Sequence, residues 1–358
     1  MKKIRILTFH YAHNYGAMLQ AYALQRNLIK SNNEVKFIDY RKKNIENAYK
    51  IFKPLRKNIV KWFKESYDTI KFYNMKKARY NAFKNFSDCK LYLTKKIENA
   101  DIYLTGSDQV WNPDIVGELS DIYTLNFGDT KIKRISYAAS IGNSRIEEKY
   151  KEEYKKKISK IDYISVREED GKKALEEIID KPIEVVLDPT LLLTQEEWDK
   201  EIQECTNEKE KYILAYVVEE NEEYRKIVNY LSEKTGLKII HFEKRNKYKN
   251  ILRSAYTDGP LEFVNLIKNA EYVIATSFHA TVFSIIFHKK FFIVPHKKTG
   301  SRVTNLLEKL GIKNRTAYTL EDFEKIDYNF ETDWNPVEEK LEQERKKSIT
   351  WLDKAIEG

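Results

Sequence analysis

Short apolar runs alternate along this chain with amphipathic stretches. Lys3–Phe9 is rich in Ile, Leu and Phe and predicts a strand. In NYGAMLQAYALQRNLIKSNN, which follows, Met18, Ala21, Tyr22, Leu24, Leu28 and Ile29 recur at helical spacing. EVKFIDY predicts the next strand. Strand, loop, helix, strand is the unit of a parallel, doubly wound sheet. ADIYLTGSD (Ala100–Asp108), RISYAASIG (Arg134–Gly142), IDYISVRE and PIEVVLDPTLLL read as further strands with loops at their ends. Residues 42–98 are rich in Lys, Asn and Tyr with amphipathic helical spacing, and predict a helical insert.

The second half restarts the pattern. KYILAYVV, LKIIHFE, EYVIATS and KFFIVP predict strands. Between and after them, NEEYRKIVNYLSEKTG, GPLEFVNLIKNA, FHATVFSIIFHK and SRVTNLLEKLG predict helices, the first stopped by Gly236, the second with Pro260 in its first turn. NPVEEKLEQERKKSITWLDKAI predicts a last amphipathic helix. The reading is two α/β halves, residues 1–194 and 195–330, with 331–358 as a terminal helical segment. A cleft between such halves is the natural binding place.

Composition narrows the class. With 358 residues the chain exceeds what one core usually serves, and 42% hydrophobic with 33% charged residues describes a globular protein. No apolar run approaches the roughly 20 residues of a membrane span, and the N-terminus reads as a strand, not an export signal. A cytoplasmic location is expected. Cys89 and Cys205 lack companion ligands, so neither a disulfide framework nor a zinc site is expected. The net charge of +9 is spread among glutamates, the pattern of solvated helix faces, and does not select nucleic acid as a partner.

Ligands of open α/β sheets sit beyond the carboxyl ends of strands, near helix N-termini. Four loops fall there. In HYAHNYGAMLQ, Gly16 permits a tight turn or close ligand approach, and Asn14 can bond to backbone or ligand. In GSDQVWNPD, Ser107 and Asp108 end a strand. Asp108 can orient a sugar hydroxyl or act as a base, or form an Asx turn; Trp111 can stack on a sugar or fill a core. In SVREED, Arg167 can grip a carboxylate or phosphate, or pair with Glu168 or Glu169. In TSFHATVF, Ser277 ends a strand and His279 starts a helix, where an imidazole can bind phosphate and move protons or be a core histidine. Ser301 and Arg302 open a further helix in an anion-binding manner.

Taken together, NYGAMLQAYALQ, GSDQVWNP, YAASIG, SVRE, VLDPTLL, SFHATVFSIIF and SRVTNLLEKLGI resemble the polysaccharide pyruvyl transferase family, in order and spacing, from residue 4 to about 315. The resemblance implies a GT-B-like fold: two Rossmann-like domains facing across a cleft, the first on the acceptor side and the second on the donor side, with the C-terminal helix packing back on the first. It implies transfer of a pyruvyl group from phosphoenolpyruvate to two hydroxyls of a capsule, exopolysaccharide or cell-wall sugar, forming a cyclic ketal and releasing phosphate. The acceptor is then a sugar or lipid-linked oligosaccharide, which leaves open a peripheral contact with the inner face of the membrane. Many members carry Arg-Leu-His-Gly where this chain has SFHA, so Ser277 stands in place of an arginine suited to the donor carboxylate.

On this reading His279 and Asp108 are the catalytic pair. Arg167, Arg302, Ser277 and Ser301 bind the donor, and Asn14, Gly16, Ser107 and Trp111 line the acceptor side. No metal and no cofactor beyond the donor substrate is expected. The rivals are a sugar-nucleotide glycosyltransferase on the same fold, with Glu262 on the ribose, and a non-catalytic glycan-binding protein. Acceptor identity and oligomeric state are not legible in the sequence.

Overall fold

The computed structural model describes residues 1–52, 59–97, 100–218, 221–295 and 300–358, without the side chains of Val60, Lys61 and Ser301. The chain forms two compact units. Unit 1 comprises Met1–Pro54, Lys84–Leu193 and Glu342–Gly358; unit 2 comprises Leu55–Phe83 and Thr194–Leu341. The stretch expected as an insert of the first half is therefore divided, and Leu55–Phe83 counts with unit 2.

Unit 1 holds seven parallel strands: β1 (Lys3–Leu7), β2 (Glu34–Ile38), β3 (Leu93–Thr94), β4 (Ile102–Thr105), β5 (Lys133–Ala139), β6 (Tyr163–Val166) and β7 (Ile183–Val185). Their order is β3-β2-β1-β4-β5-β6-β7. The central strands β1, β4 and β5 are buried along nearly their whole length, as in a parallel sheet covered on both faces, and every residue of β4 is buried. The helix Tyr15–Lys30 returns the chain from β1 to β2, capped by Asn14. PIEVVLDPTLLL is a strand only over Ile183–Val185; Asp188 then caps a 3₁₀ turn, Pro189–Leu191, because Pro189 removes a ladder donor and suits a first helical position. The terminal residues belong to this unit through polar bonds as well as packing. Arg345 Nε donates to Leu191 O at 2.9 Å, and Leu187 N donates to Ser348 Oγ at 2.9 Å.

Unit 2 holds five parallel strands: β8 (Tyr212–Tyr216), β9 (Lys238–His241), β10 (Ile251–Ser254), β11 (Tyr272–Ala275) and β12 (Lys290–Ile293), ordered β10-β9-β8-β11-β12. Its core is built by Ile213, Ala215, Ile239, Ile274 and Phe292 from the sheet, and by Tyr224, Ile227, Val228 and Leu231 from the helix Glu222–Thr235. Gly236, at φ 71°, ends that helix in the left-handed region. β3 and β10 escape the sequence reading because β3 is two residues long and β10, ILRS, carries no alternation and is only half-buried. Among the described residues no helix is long and apolar enough to cross a membrane.

Candidate active site

The strand order of unit 1 reverses between β1 and β4, and their carboxyl ends form a crevice of the kind that holds ligands in open sheets. Gly106 starts the loop after β4 at φ 109°, and a Cβ there would lie 2.1 Å from the Tyr137 carbonyl oxygen. Only glycine lets this loop pass β5. Asp108 follows in the left-handed region, at φ 71°, which aspartate tolerates better than most residues. Its Oδ1 accepts from Gln109 N at 2.8 Å, and its carbonyl accepts from Ser140 N and Val110 N, both at 2.9 Å. Asp108 and Gln109 are half-buried, while Ser107, Val110 and Trp111 are buried. Asp108 is thus the partly exposed carboxylate at the start of this loop.

Beneath the loop lies a closed polar network. Ser107 Oγ donates to Asp188 Oδ2 at 3.2 Å. Asp188 also accepts from Arg167 Nη1 at 3.0 Å, Thr190 N at 3.0 Å and Thr190 Oγ1 at 2.6 Å. Arg167 Nε donates to Glu168 Oε1 at 2.8 Å. Burial works to lower the Arg167 pKa, but Glu168, Asp188 and Asp108 outweigh it and raise the pKa above its ordinary value. On the other side, Gln20 Oε1 accepts from Ser107 N at 3.1 Å, and Gln20 Nε2 donates to Thr8 Oγ1 at 2.9 Å. Thr8 Oγ1 donates to Ser107 O at 3.1 Å, closing the ring. Further along the loop after β1, the fully buried His10 faces Asp39 Oδ1 through Nε2 at 3.2 Å. That bond, with Arg41 behind it, holds the Asp39 carboxyl well below the usual carboxylate range against the opposing effect of burial.

In unit 1 this geometry shows what several of the expected site residues touch. Trp111 is fully buried and its indole N–H donates to Tyr123 O at 3.0 Å, so it has no open face on which a sugar could stack. Ser107 is fully buried and spends its hydroxyl on Asp188. Arg167 was expected to grip a donor anion; its side chain is 2% exposed and already faces two carboxylates. Asn14 uses its side-chain oxygen on Ala17 N, as a helix cap, and Gly16 lies buried in the first turn of that helix. For Trp111, Ser107, Arg167 and Asn14 the physical reason is shared: polar groups taken out of water must be met, and each meets a backbone or carboxylate partner within the unit.

In unit 2 the order reverses between β8 and β11. Thr276 Oγ1 accepts from Val218 N at 3.0 Å, which ties the loops after β8 and β11 together. Ser277 caps the helix Phe278–Ile286 without a side-chain bond, and its carbonyl accepts from Thr281 N at 3.2 Å and Thr281 Oγ1 at 3.0 Å. His279 stands in the first turn, partly exposed, with its ring edge-on to Phe278 at 5.3 Å. The positive end of the helix favours an anion there. Arg302 is partly exposed at the second position of the helix Ser301–Leu310. Ser301 begins that helix; its side chain lies outside the described residues. Glu262 is exposed in the first turn of the helix Pro260–Asn269. Among the described residues no three His, Cys, Asp or Glu side chains gather as metal ligands.

Sequence reasoning missed Asp188, Gln20, Thr8 and the His10–Asp39 pair. Asp188 had a signal, the Asp-Pro of VLDPTLL after a strand, which marks a buried cap. Gln20 had none, because a glutamine inside an amphipathic helix is normally a solvated residue.

No curated protein sequence matches the chain. Among solved structures it is similar to UDP-N-acetylglucosamine 2-epimerase from Rickettsia bellii, at 13% identity and a TM-score of 0.54, covering 100% of this chain and 97% of that one. It is also similar to the Methanocaldococcus jannaschii UDP-GlcNAc 2-epimerase in complex with UDP-GlcNAc and UDP, at 16% identity and a TM-score of 0.50, covering 96% and 99%. At such identities the likeness concerns the fold alone, the GT-B-like α/β class expected from the sequence. The family model of polysaccharide pyruvyl transferase matches residues 14–298. That span takes in the Asp108 and His279 loops, and the chain belongs to the polysaccharide pyruvyl transferase family, enzymes with a sugar or glycan acceptor.

Proposed function

We propose that the pyruvyl group comes from phosphoenolpyruvate and is placed as a cyclic ketal on two hydroxyls of a sugar in a cell-surface polysaccharide or its lipid-linked precursor. The observation that carries this reading is the placement of Asp108 and His279, each at the carboxyl end of the switch strands of its own sheet.

An enol phosphate is unreactive toward alcohols until its C3 is protonated, when C2 becomes electrophilic. His279 supplies that proton. A sugar hydroxyl then bonds to C2 while Asp108 takes its proton. The second hydroxyl attacks the same carbon, the bond from C2 to the phosphate oxygen breaks, and phosphate leaves with the remaining proton. Arg302 neutralises donor oxygens. Ser277, where many members have arginine, adds a hydroxyl contact. Arg167 is moved from the donor to the support of Asp108. No divalent metal or further cofactor enters this route.

Calorimetric titration tests the donor. Phosphoenolpyruvate should bind the wild-type protein, and Arg302→Ala should weaken it by about 1.5–3 kcal/mol, the range for a hydrogen bond to a charged group. Unchanged affinity in the variant, or binding of a nucleotide sugar in place of phosphoenolpyruvate, would overturn the assignment.

A further inference from the structure

The helix Ile59–Lys71 of unit 2 is oriented opposite to an ordinary surface helix, which buries its apolar stripe. At 3.6 residues per turn, Ile59, Phe63, Tyr67 and Ile70 fall within an arc of about 80°. These four side chains are the outward ones, exposed by 57%, 62%, 68% and 70%. The polar side faces the protein. Asp68 pairs there with Lys76 at 3.2 Å, with Arg245 at 3.3 Å and with Lys244. Thr69 is buried and accepts from Lys76 Nζ at 2.7 Å. The exposed residues of the helix, among those described, are the four apolar ones with Lys64 and Lys71. None is acidic. Tyr73 and the exposed Lys77 continue the same character into the following helix.

We infer that this helix docks the protein on an anionic lipid surface. Its apolar side chains enter the boundary between headgroups and acyl chains, with Lys64 and Lys71 against lipid phosphates. A short helix with a sharp apolar face and basic flanks lies in that plane and draws on both apolar burial and attraction to anionic headgroups. Charge decides the occupant. A second copy of this face would bring lysines against lysines with no acid among the exposed residues to meet them, whereas an anionic bilayer supplies the counter-charge. The inference goes beyond the reaction and requires neither the donor nor the acceptor assigned above.

Flotation of the full chain with vesicles tests it. The protein should float with phosphatidylglycerol mixed into phosphatidylcholine and far less with phosphatidylcholine alone, and binding should fall as salt rises. Joint substitution Phe63→Ser and Ile70→Ser should cut vesicle affinity by roughly tenfold or more, because two anchoring side chains are lost. Lys64→Gln with Lys71→Gln should weaken binding and flatten its salt dependence. Both double variants change only exposed side chains and should melt with the wild type. Should the apolar pair disturb folding, the lysine pair still decides. Failure of the wild type to float, flotation of both double variants like the wild type, or a wild-type dimer dissolved by the Phe63 and Ile70 substitutions would each sink the proposal, the last by assigning the face to a second copy.

Discussion

At the carboxyl end of the seven-stranded sheet, one partly exposed carboxylate rests on a stack of buried polar groups, whereas at the end of the five-stranded sheet an imidazole stands directly on a helix. Asp108 sits in a left-handed turn, a conformation that persists only where surrounding bonds impose it. Gln109, Val110 and Ser140 bond Asp108 itself, while Thr8, Gln20 and Asp188, with Arg167 behind it, hold the neighbouring Ser107. His279 stands in the first turn of the helix Phe278–Ile286, which fixes its backbone and supplies a favourable field. Substitutions should therefore act differently in the two places: through stability and positioning in the first, through chemistry in the second.

The largest effect is expected at His279. His279→Asn should lower turnover by about 10²–10⁴-fold, the usual contribution of a general acid, with the melting temperature unchanged. A folded variant that keeps most of its turnover would move the proton donor elsewhere. Arg167→Ala should show the opposite signature. It leaves Asp188 and Glu168 without their buried cation and should cost about 3–5 kcal/mol in urea unfolding. A loss below about 1 kcal/mol, together with weakened donor binding, would return Arg167 to the donor and erase the contrast.

The smallest effect concerns Asp39, bonded to His10 and Arg41. Its folded pKa lies below that of the unfolded chain, so its stabilising contribution is complete above the unfolded value, about 4, and is lost as pH falls through the folded value. Asp39→Asn should destabilise by about 1.5 kcal/mol at neutral pH. The gap from wild type should close progressively below about pH 4. A gap that stays constant down to acid unfolding would show that the ion pair contributes nothing.

Much of the fold was legible in local pattern. β1, β2, β4, β6, β8, β9, β11 and β12 fall inside the apolar runs read as strands, β5 starts one residue before its run, and the helices Tyr15–Lys30, Phe278–Ile286 and Ser301–Leu310 fall inside the stretches read as helices. A strand or helix is specified by residues a few positions apart, so spacing alone reveals it. The loops bearing Asp108 and His279 were legible for the same reason, since each follows an apolar run and precedes a helix.

What each polar side chain does was decided only in three dimensions. Ser107 meets Asp188 across 81 positions and Gln20 across 87. No local pattern records such partners, and they turn Ser107 and Arg167 from contacts for a substrate into supports for a loop. Trp111 likewise could stack or pack as far as its neighbours show, and the core residues Phe9, Tyr123 and Tyr154 claim it. The helix Ile59–Lys71 is the sharpest case. Its amphipathicity is plain in the sequence, but which side faces the protein depends on Lys244 and Arg245, some 177 positions away, because a periodic pattern defines two faces and only tertiary contacts choose the one that is buried.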